Sequence, residues 1–585
     1  MTEEYIEVRL SDLLRYCSVG AIVRTQKGVM VVNDIRRWIS PGRNLEDQQI
    51  RHVDRICKAL GIANMRLCTP PHVTEQEDDG AVSGWIPASR FPKWTRCLKC
   101  GLMHWEPWKE KRGDNEWSCG GTETETGDIC SGELEQVPWV LVHGKGYLTD
   151  VPWHDLVHDN ASDTNECNPD WEEPYLKMQR SGIGIGQSIL CTRCQCRSDE
   201  RLPLRFYFPR NCWQQPWINE YPDSALEEPA WILQINDARI HSASNNAALV
   251  IPPESRVRQG TITDRLYNDL NSQEKIRNAK NELARKSAVR QVADDYDCET
   301  GEIENSIRDI DGGYPLYGQE IKTGDLFADE YEVLVREIHD FKEDEDFVTK
   351  HWTREWKALA QNLGSGVPRR VVNIVSNLVA VNKLKEIMVL KGFRRAGGRE
   401  LVPPDIVGES RWLPALELYG EGIFVTLDEA ILQRWESVSK VLWERADTFS
   451  KRFAKKEFSF EFEINPSPRF LLCHTLAHLM IRQLDAVADE EGSLGGLMEM
   501  AKPERFLRLL TSVFETATWC SLDPVCSEQD GQGPDLLNRA ACHACALVPE
   551  PSCSYGNILL DRTFINGCAS QFPGLLDCVD GGLED

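Results

Sequence analysis

RFPKWTRCLKCG, residues 90–101, ends on two cysteines, Cys97 and Cys100, two residues apart and followed by a glycine. A Cys-x2-Cys pair is half of a tetrahedral metal site, because the turn between the thiolates aims backbone N–H groups at the sulfurs. Cys119 and Cys130 follow and supply the other half, although their ten-residue gap is wider than a knuckle. Four thiolates around zinc leave no position for water, so a site of this kind is structural rather than catalytic.

The motif recurs twice. CTRCQC sets Cys191 and Cys194 two residues apart with Cys196 behind them, flanked at longer range by Cys167 and Cys212. Cys196 falls outside the knuckle and is the spare, which leaves Cys167, Cys191, Cys194 and Cys212 as the second tetrad. Near the C-terminus CSLDPVC (Cys520–Cys526) precedes ACHACALVPEPSC (Ala541–Cys553). The expected third tetrad is Cys526, Cys542, Cys545 and Cys553, with Cys520 in reserve and His543 turned away inside the knuckle. About three structural Zn2+ ions are therefore expected, and inert buried cysteine is the lesser alternative.

Composition places these modules in a larger chain. At 585 residues and 41% apolar content there is enough sequence for about three or four domains. The 21 cysteines are an odd number gathered in knuckles, which suits metal thiolates in a reducing compartment better than disulfides. An acidic start, Met1-Thr2-Glu3-Glu4, and the lack of a long apolar run lead to the expectation of a cytoplasmic protein with no membrane span. A net charge of -26 argues against a surface built to hold nucleic acid. Basic stretches at Arg277–Arg290, Lys383–Arg399 and Lys451–Lys456 are local, and solvated helix faces are the simpler account of them.

The fold class expected is α+β and multidomain, with zinc-ribbon-like cysteine modules. Residues 1–90 read as a small α/β region, with strands at Ala21–Val23 and Val29–Val32 and a helix over Asp47–Leu60. Residues 91–230 hold the first two cysteine sites. Residues 231–456 are mixed, with a polar helical insertion at about 262–310 and helices including Tyr331–Phe341 and Leu427–Ala446. Residues 457–585 form a C-terminal α/β domain with the third site.

Long ordered stretches resemble the DrmB family of DISARM anti-phage defence systems. They include RFPKWTRCLKCG, HGKGYLTDVPWHDLVH (His143–His158), NCWQQPW (Asn211–Trp217), SASNNAALVIPPE (Ser242–Glu254), KLKEIMVLKGFRR (Lys383–Arg395) and WLPALELYGEGIFV (Trp412–Val425). LLCHTLAHLMIRQL (Leu471–Leu484), GSLGGL (Gly492–Leu497), the third cysteine cluster and NILLDR (Asn557–Arg562) resemble a domain found at the C-termini of certain DNA helicases. One departure is the segment between Leu484 and Gly492, seven residues where the family carries more. The resemblance implies a non-catalytic subunit that pairs with a separate DrmA-type helicase and assists DNA binding through the complex.

Enzyme readings are weaker. No G-x4-G-K-[ST] sequence is present to cradle phosphates, so the chain is not expected to be a motor by itself. His474 and His478 have the spacing of a zinc-protease helix, but Thr475 stands where the general base belongs, and core packing is the simpler role. His143-x-Lys145-x4-Asp150 matches the pattern of phospholipase-D-type nucleases, in which histidine attacks phosphorus and lysine steadies the charge. That chemistry needs the motif twice, and it occurs once. A stand-alone zinc-dependent nucleic-acid-binding protein is a further alternative, favoured by the tryptophans between Trp85 and Trp217 and opposed by the acidic residues among them.

Overall fold

The structure is a computed structural model. It describes residues 4–579 apart from 39–44, 52, 63, 71–72, 76–81, 110–116, 122–128, 159–166, 181–186, 199–202, 207–216, 218–228, 253, 257–260, 313, 315–325, 338–345, 397–399, 456–463, 492–495, 550–551, 554 and 569–570. The fold is mixed α+β and divides into two compact units, each assembled from separate stretches of chain. One comprises Met1–Arg51, Ile62–Ala247 and Ile387–Glu417, and the other His52–Gly61, Ala248–Glu386 and Leu418–Asp585.

The first unit is built on antiparallel sheets. Glu4–Arg9 alternates buried Ile6 and Val8 with outward polar residues, the period-2 pattern of a strand with one covered face. It pairs with Val82–Arg90, which continues through Gly28–Val32 to Ile22–Thr25. A second sheet runs Leu148–Asp150, Trp139–Val142, Ala230–Gln234, Arg205–Phe206. The third sheet leads into the first two Cys-x2-Cys pairs, in the order Gln187–Cys191, Leu176–Arg180, Leu102–Trp105, Trp94–Cys97, Leu134–Gln136. Trp94, Met103, Leu141, Trp153, Leu176, Ile189 and Ile232 join the second and third sheets in one core.

Arg395 is fully buried in this unit, and its guanidinium donates to the carbonyls of Gly20 (2.7 Å), Gly146 (2.9 Å) and Ile240 (2.9 Å). Three chain segments far apart in sequence meet on one planar fork, a geometry that lysine cannot supply. Lys385, from the same basic stretch but in the second unit, is buried as well. The described part of that stretch is mainly a strand rather than a helix face, and these two of its cations belong to the core.

The second unit is mainly helical. Trp356, Leu378, Trp435, Phe449, Leu471, Phe506 and Phe564 form its principal core, between the helices Thr353–Leu359, Val367–Ile374, Glu429–Val438, Lys440–Ala454, Pro468–Glu491 and Pro503–Thr516. Residues 262–311 form four helices, Ile262–Asn268, Leu270–Arg277, Glu282–Tyr296 and Thr300–Asp311. Their small core of Leu266, Ile276, Val289, Val292, Ile303 and Ile307 explains why so few large apolar residues suffice. Thr261, Asp269 and Asn281 cap the first three helices by accepting N–H bonds.

Two long strands, Val375–Arg394 and Trp412–Leu427, lie where helices are expected from the apolar text. The apolar runs Leu378–Val381, Ile387–Leu390 and Trp412–Leu416 are buried on both faces, which removes the period-2 signal that distinguishes strand from helix. The expected helix over Asp47–Leu60 is shorter, Asp54–Ala59, with a single 3-10 turn at Leu45–Gln48.

Candidate metal centres

Four clusters of cysteine and histidine place their ligand atoms within 4.8 Å of one another among the described residues. The first two lie in stretches of the first unit and the last two in stretches of the second.

The first cluster is Cys97, Cys100, Cys119 and Cys130. Cys97 ends one strand of the third sheet, Cys100 lies in the turn to the next, and the Ser118–Glu133 bridge brings in the other two. The sulfurs of Cys97 and Cys130 are 3.7 Å apart and those of Cys100 and Cys119 are 3.6 Å apart. A disulfide needs about 2.05 Å. A tetrahedron of zinc–sulfur bonds about 2.3 Å long has edges of about 3.8 Å, so the spacing fits zinc.

The glycines of this cluster are steric requirements. Gly101 (φ +77°) turns the knuckle, and its N–H bonds the Cys97 carbonyl at 3.0 Å. A Cβ on Gly132 would stand 2.4 Å from Cys97 Sγ and 2.8 Å from Lys99 Cβ. His104 Nε2 lies 3.3 Å from Cys119 Sγ, and burial holds its pKa below the usual range. A neutral ring with Nε2–H donating to a thiolate is the outer-shell support such sites use.

The second cluster is His158, Cys167, Cys191 and Cys194. Cys167 and Cys191 sulfurs are 3.7 Å apart, and His158 Nε2 is 3.1 Å from Cys194 Sγ. His158 ends the short helix Trp153–His158, and its Nδ1 lies 2.6 Å from the His154 carbonyl. A carbonyl only accepts, so Nδ1 carries the proton and Nε2 presents a lone pair. The structure therefore puts a histidine beside three of the expected cysteines. Cys212 lies outside the described residues.

This knuckle repeats the first: Gln195 N–H bonds the Cys191 carbonyl at 2.9 Å, as Gly101 bonds that of Cys97. Gln195 holds the same left-handed backbone (φ 62°) without glycine's freedom. Cys196 is partly exposed, and its carbonyl accepts from Cys191 N–H at 2.9 Å. Burial raises the Cys194 thiol, but hydrogen bonds from the backbone N–H and the thiol of Cys196 outweigh it and bring it down to about 6.

The third cluster is Cys520, Cys526, Cys542 and Cys545. Cys542 Sγ is 3.6 Å from both Cys520 Sγ and Cys545 Sγ. Buried Arg562 ties the arms together by donating to the carbonyls of Ala517 (2.6 Å), Trp519 (2.9 Å) and Ala540 (3.0 Å). Cys520 thus stands with the knuckle, and Cys553 stands elsewhere. It groups with His474 and His478, His474 Nε2 lying 3.4 Å from Cys553 Sγ.

The His143, Lys145 and Asp150 triplet has a conformational account. His143 is buried, and its Nδ1 accepts the Lys145 N–H at 3.1 Å in the turn between two strands. The buried Asp150 carboxylate accepts the N–H groups of Lys93 (2.9 Å) and Trp94 (3.3 Å). Burial raises its pKa to about 6, against the opposing pull of Lys93. The other basic stretches are partly matched by acids: Arg277 with Asp311 at 2.7 Å, Lys286 with Glu282 at 3.4 Å, and Lys451 with Asp447. No described helix is long and apolar enough to cross a membrane.

His158, His474 and His478 escape a reading by cysteine spacing. The available signal for His158 is its place at the end of the HGKGYLTDVPWHDLVH text. For the other two it is the i, i+4 spacing on one helix.

Two comparisons bear on this arrangement. The family model of a domain of unknown function, DUF8724, matches residues 9–242, a span that holds the first two clusters. The DISARM protein DrmB of Bacillus paralicheniformis is 25% identical over 548 residues, covering 82% of this chain and 89% of that protein.

Proposed function

We propose that this chain, a member of the DrmB family, is a metal-stapled, non-catalytic subunit of a DISARM anti-phage defence system that docks a DrmA-type DNA helicase and assists DNA binding through the pair. The observation that carries the reading is the match to a DISARM protein across most of both chains. The metal clusters support the structural part. Zn2+ is the ion of choice for sets of four cysteines, or of three cysteines and a histidine, and ion binding of this kind is worth about 10–16 kcal/mol in small zinc domains. Bound there, zinc would supply cross-links, not a reactive water.

The charge balance supports a joint DNA site. With a net charge of -26 the chain repels phosphate, so the cationic surface belongs mainly to the helicase. The docking face we favour is the loop of the third cluster, where Trp519, Leu522 and Val525 are exposed beside the knuckle. A large aromatic held on a rigid loop is the kind of side chain that anchors an interface.

The nuclease reading stands second. It would need His143 and Asp150 to act on phosphorus, while both are engaged in the turn and the neighbouring strand. The test is phage plating on cells that carry the whole defence system with this gene intact, deleted, or altered. The reading expects protection to be lost on deletion and with Cys97→Ser or Trp519→Ala, and retained with His143→Ala. Protection that survives deletion, or that His143→Ala abolishes in a normally folded protein, contradicts it.

A further inference from the structure

We propose that His474, His478 and Cys553 form a fourth metal site, which binds a divalent ion of the zinc class through His474 Nε2, His478 Nε2 and Cys553 Sγ and leaves one position for water or a small anion. It goes beyond the three closed sites invoked above and does not depend on the helicase.

The two histidines lie four residues apart on the helix Pro468–Glu491, so they share a face, and their ring centroids are 4.7 Å apart. His474 Nδ1 is 3.3 Å from the Leu559 carbonyl, and His478 Nδ1 is 3.0 Å from the Ala546 carbonyl. Carbonyls only accept, so both Nδ1 atoms carry the proton and both Nε2 atoms present lone pairs. His474 Nε2 is 3.4 Å from Cys553 Sγ, and one nitrogen of each ring and the thiol sulfur lie within 4.8 Å of one another. Nitrogen and sulfur ligands of a tetrahedral zinc are about 3.6 Å apart.

Proton accounting favours a cation. Two lone pairs and a thiol converge, and the thiol owns a single proton, which can satisfy one ring nitrogen and not the other. An ion satisfies all three at once. The outer supports are also in place: Asn557 N–H points at Cys553 Sγ at 3.4 Å, and each imidazole has its carbonyl. Asn557 (φ 59°) and Leu559 (φ 62°) are non-glycine residues in the left-handed region, and they hold the N–H and one of the carbonyls that support the site. Aromatic packing of His474 against Phe470 and Tyr555, at 5.5 and 5.0 Å, accounts for the ring contacts but not for three ligand atoms meeting.

The open position follows from the ligand count. Among the described residues no fourth cysteine, histidine, aspartate or glutamate joins the cluster, and His474 is only partly buried. Zinc with three protein ligands keeps a fourth position for water.

The test is metal content of the full chain by mass spectrometry, together with the rate at which zinc passes to a chromogenic chelator. The expected result is four ions per chain, one released at least tenfold faster than the rest. His478→Gln and Cys553→Ser should each hold three ions, without the fast phase and with unchanged circular dichroism. Three ions in the wild type and the same three in both variants would overturn the site. Four ions leaving in one slow phase would overturn the open position. Cobalt-substituted wild type needs no variant: azide should shift the visible bands of one ion per chain, and bands that stay unmoved count against the proposal. Fewer than three slow ions would instead count against the closed clusters.

Discussion

Replacing His158 by alanine removes one of the four candidate ligands of the second cluster and leaves Cys167, Cys191 and Cys194. The structure sets the size of the effect. His158 is held in its ligating tautomer by a 2.6 Å bond to a carbonyl of its own helix, and its Nε2 stands 3.1 Å from Cys194 Sγ. Loss of an outer partner alone weakens metal sites by about 10- to 100-fold, so loss of the ligand should cost at least about 100-fold, or about 2.7 kcal/mol. Because the ion binds the folded state, stability falls by a similar amount, which corresponds to a drop of roughly 5–10 °C in Tm. Against a competing chelator, purified His158→Ala should therefore retain one ion fewer per chain and should unfold at a lower Tm, whereas Cys212→Ser should match the wild type. If Cys212→Ser releases the ion and His158→Ala keeps it, the assignment of His158 is refuted.

Gly132→Ala should lose the ion of the first cluster, because the new Cβ would stand 2.4 Å from Cys97 Sγ; a full complement of metal in that variant would show that the loop yields. Arg395→Met should destabilise by roughly 3 kcal/mol or more, since three buried carbonyls lose their donor at about 1–3 kcal/mol each; denaturant unfolding measures it, and a cost under about 1 kcal/mol would contradict the account. Asp150→Asn keeps an oxygen for the Lys93 and Trp94 N–H groups and removes a buried charge. With its pKa raised to about 6, the native carboxylate binds its proton more tightly than the unfolded one, so wild-type stability gains as pH falls from about 6 to about 4. The variant should be the more stable form at pH 7.5, by up to about 3 kcal/mol, with the advantage fading over that window; a variant less stable at pH 7.5 would contradict this.

What was legible in the sequence is what metal chemistry writes locally. Cys97 and Cys100 announce their knuckle by spacing and a following glycine, and the alternation of Glu4–Arg9 is visible to the eye. His158, His474 and His478 are placed by helices, and a histidine on a helix carries no mark until the fold brings thiols to it. Cys520 and Cys553 show the same limit: both have plausible spacing to the Cys542 and Cys545 pair, and tertiary structure sends them to different clusters. The strands Val375–Arg394 and Trp412–Leu427 were hidden because burial on two faces erases periodicity. Lys385 and Arg395 read as surface charge although both are buried, and the three carbonyls that satisfy Arg395 are absent from a string of letters.

The proposed role as a partner rather than an engine is tested most directly by co-purification with a co-expressed DrmA-type helicase, followed by DNA-stimulated ATPase assays on each protein and on the pair. The account predicts a stable pair and ATPase activity from the helicase alone and in the pair, with none from this chain. A chain that elutes by itself at micromolar concentration and cleaves DNA, losing that cleavage with His143→Ala, would contradict it.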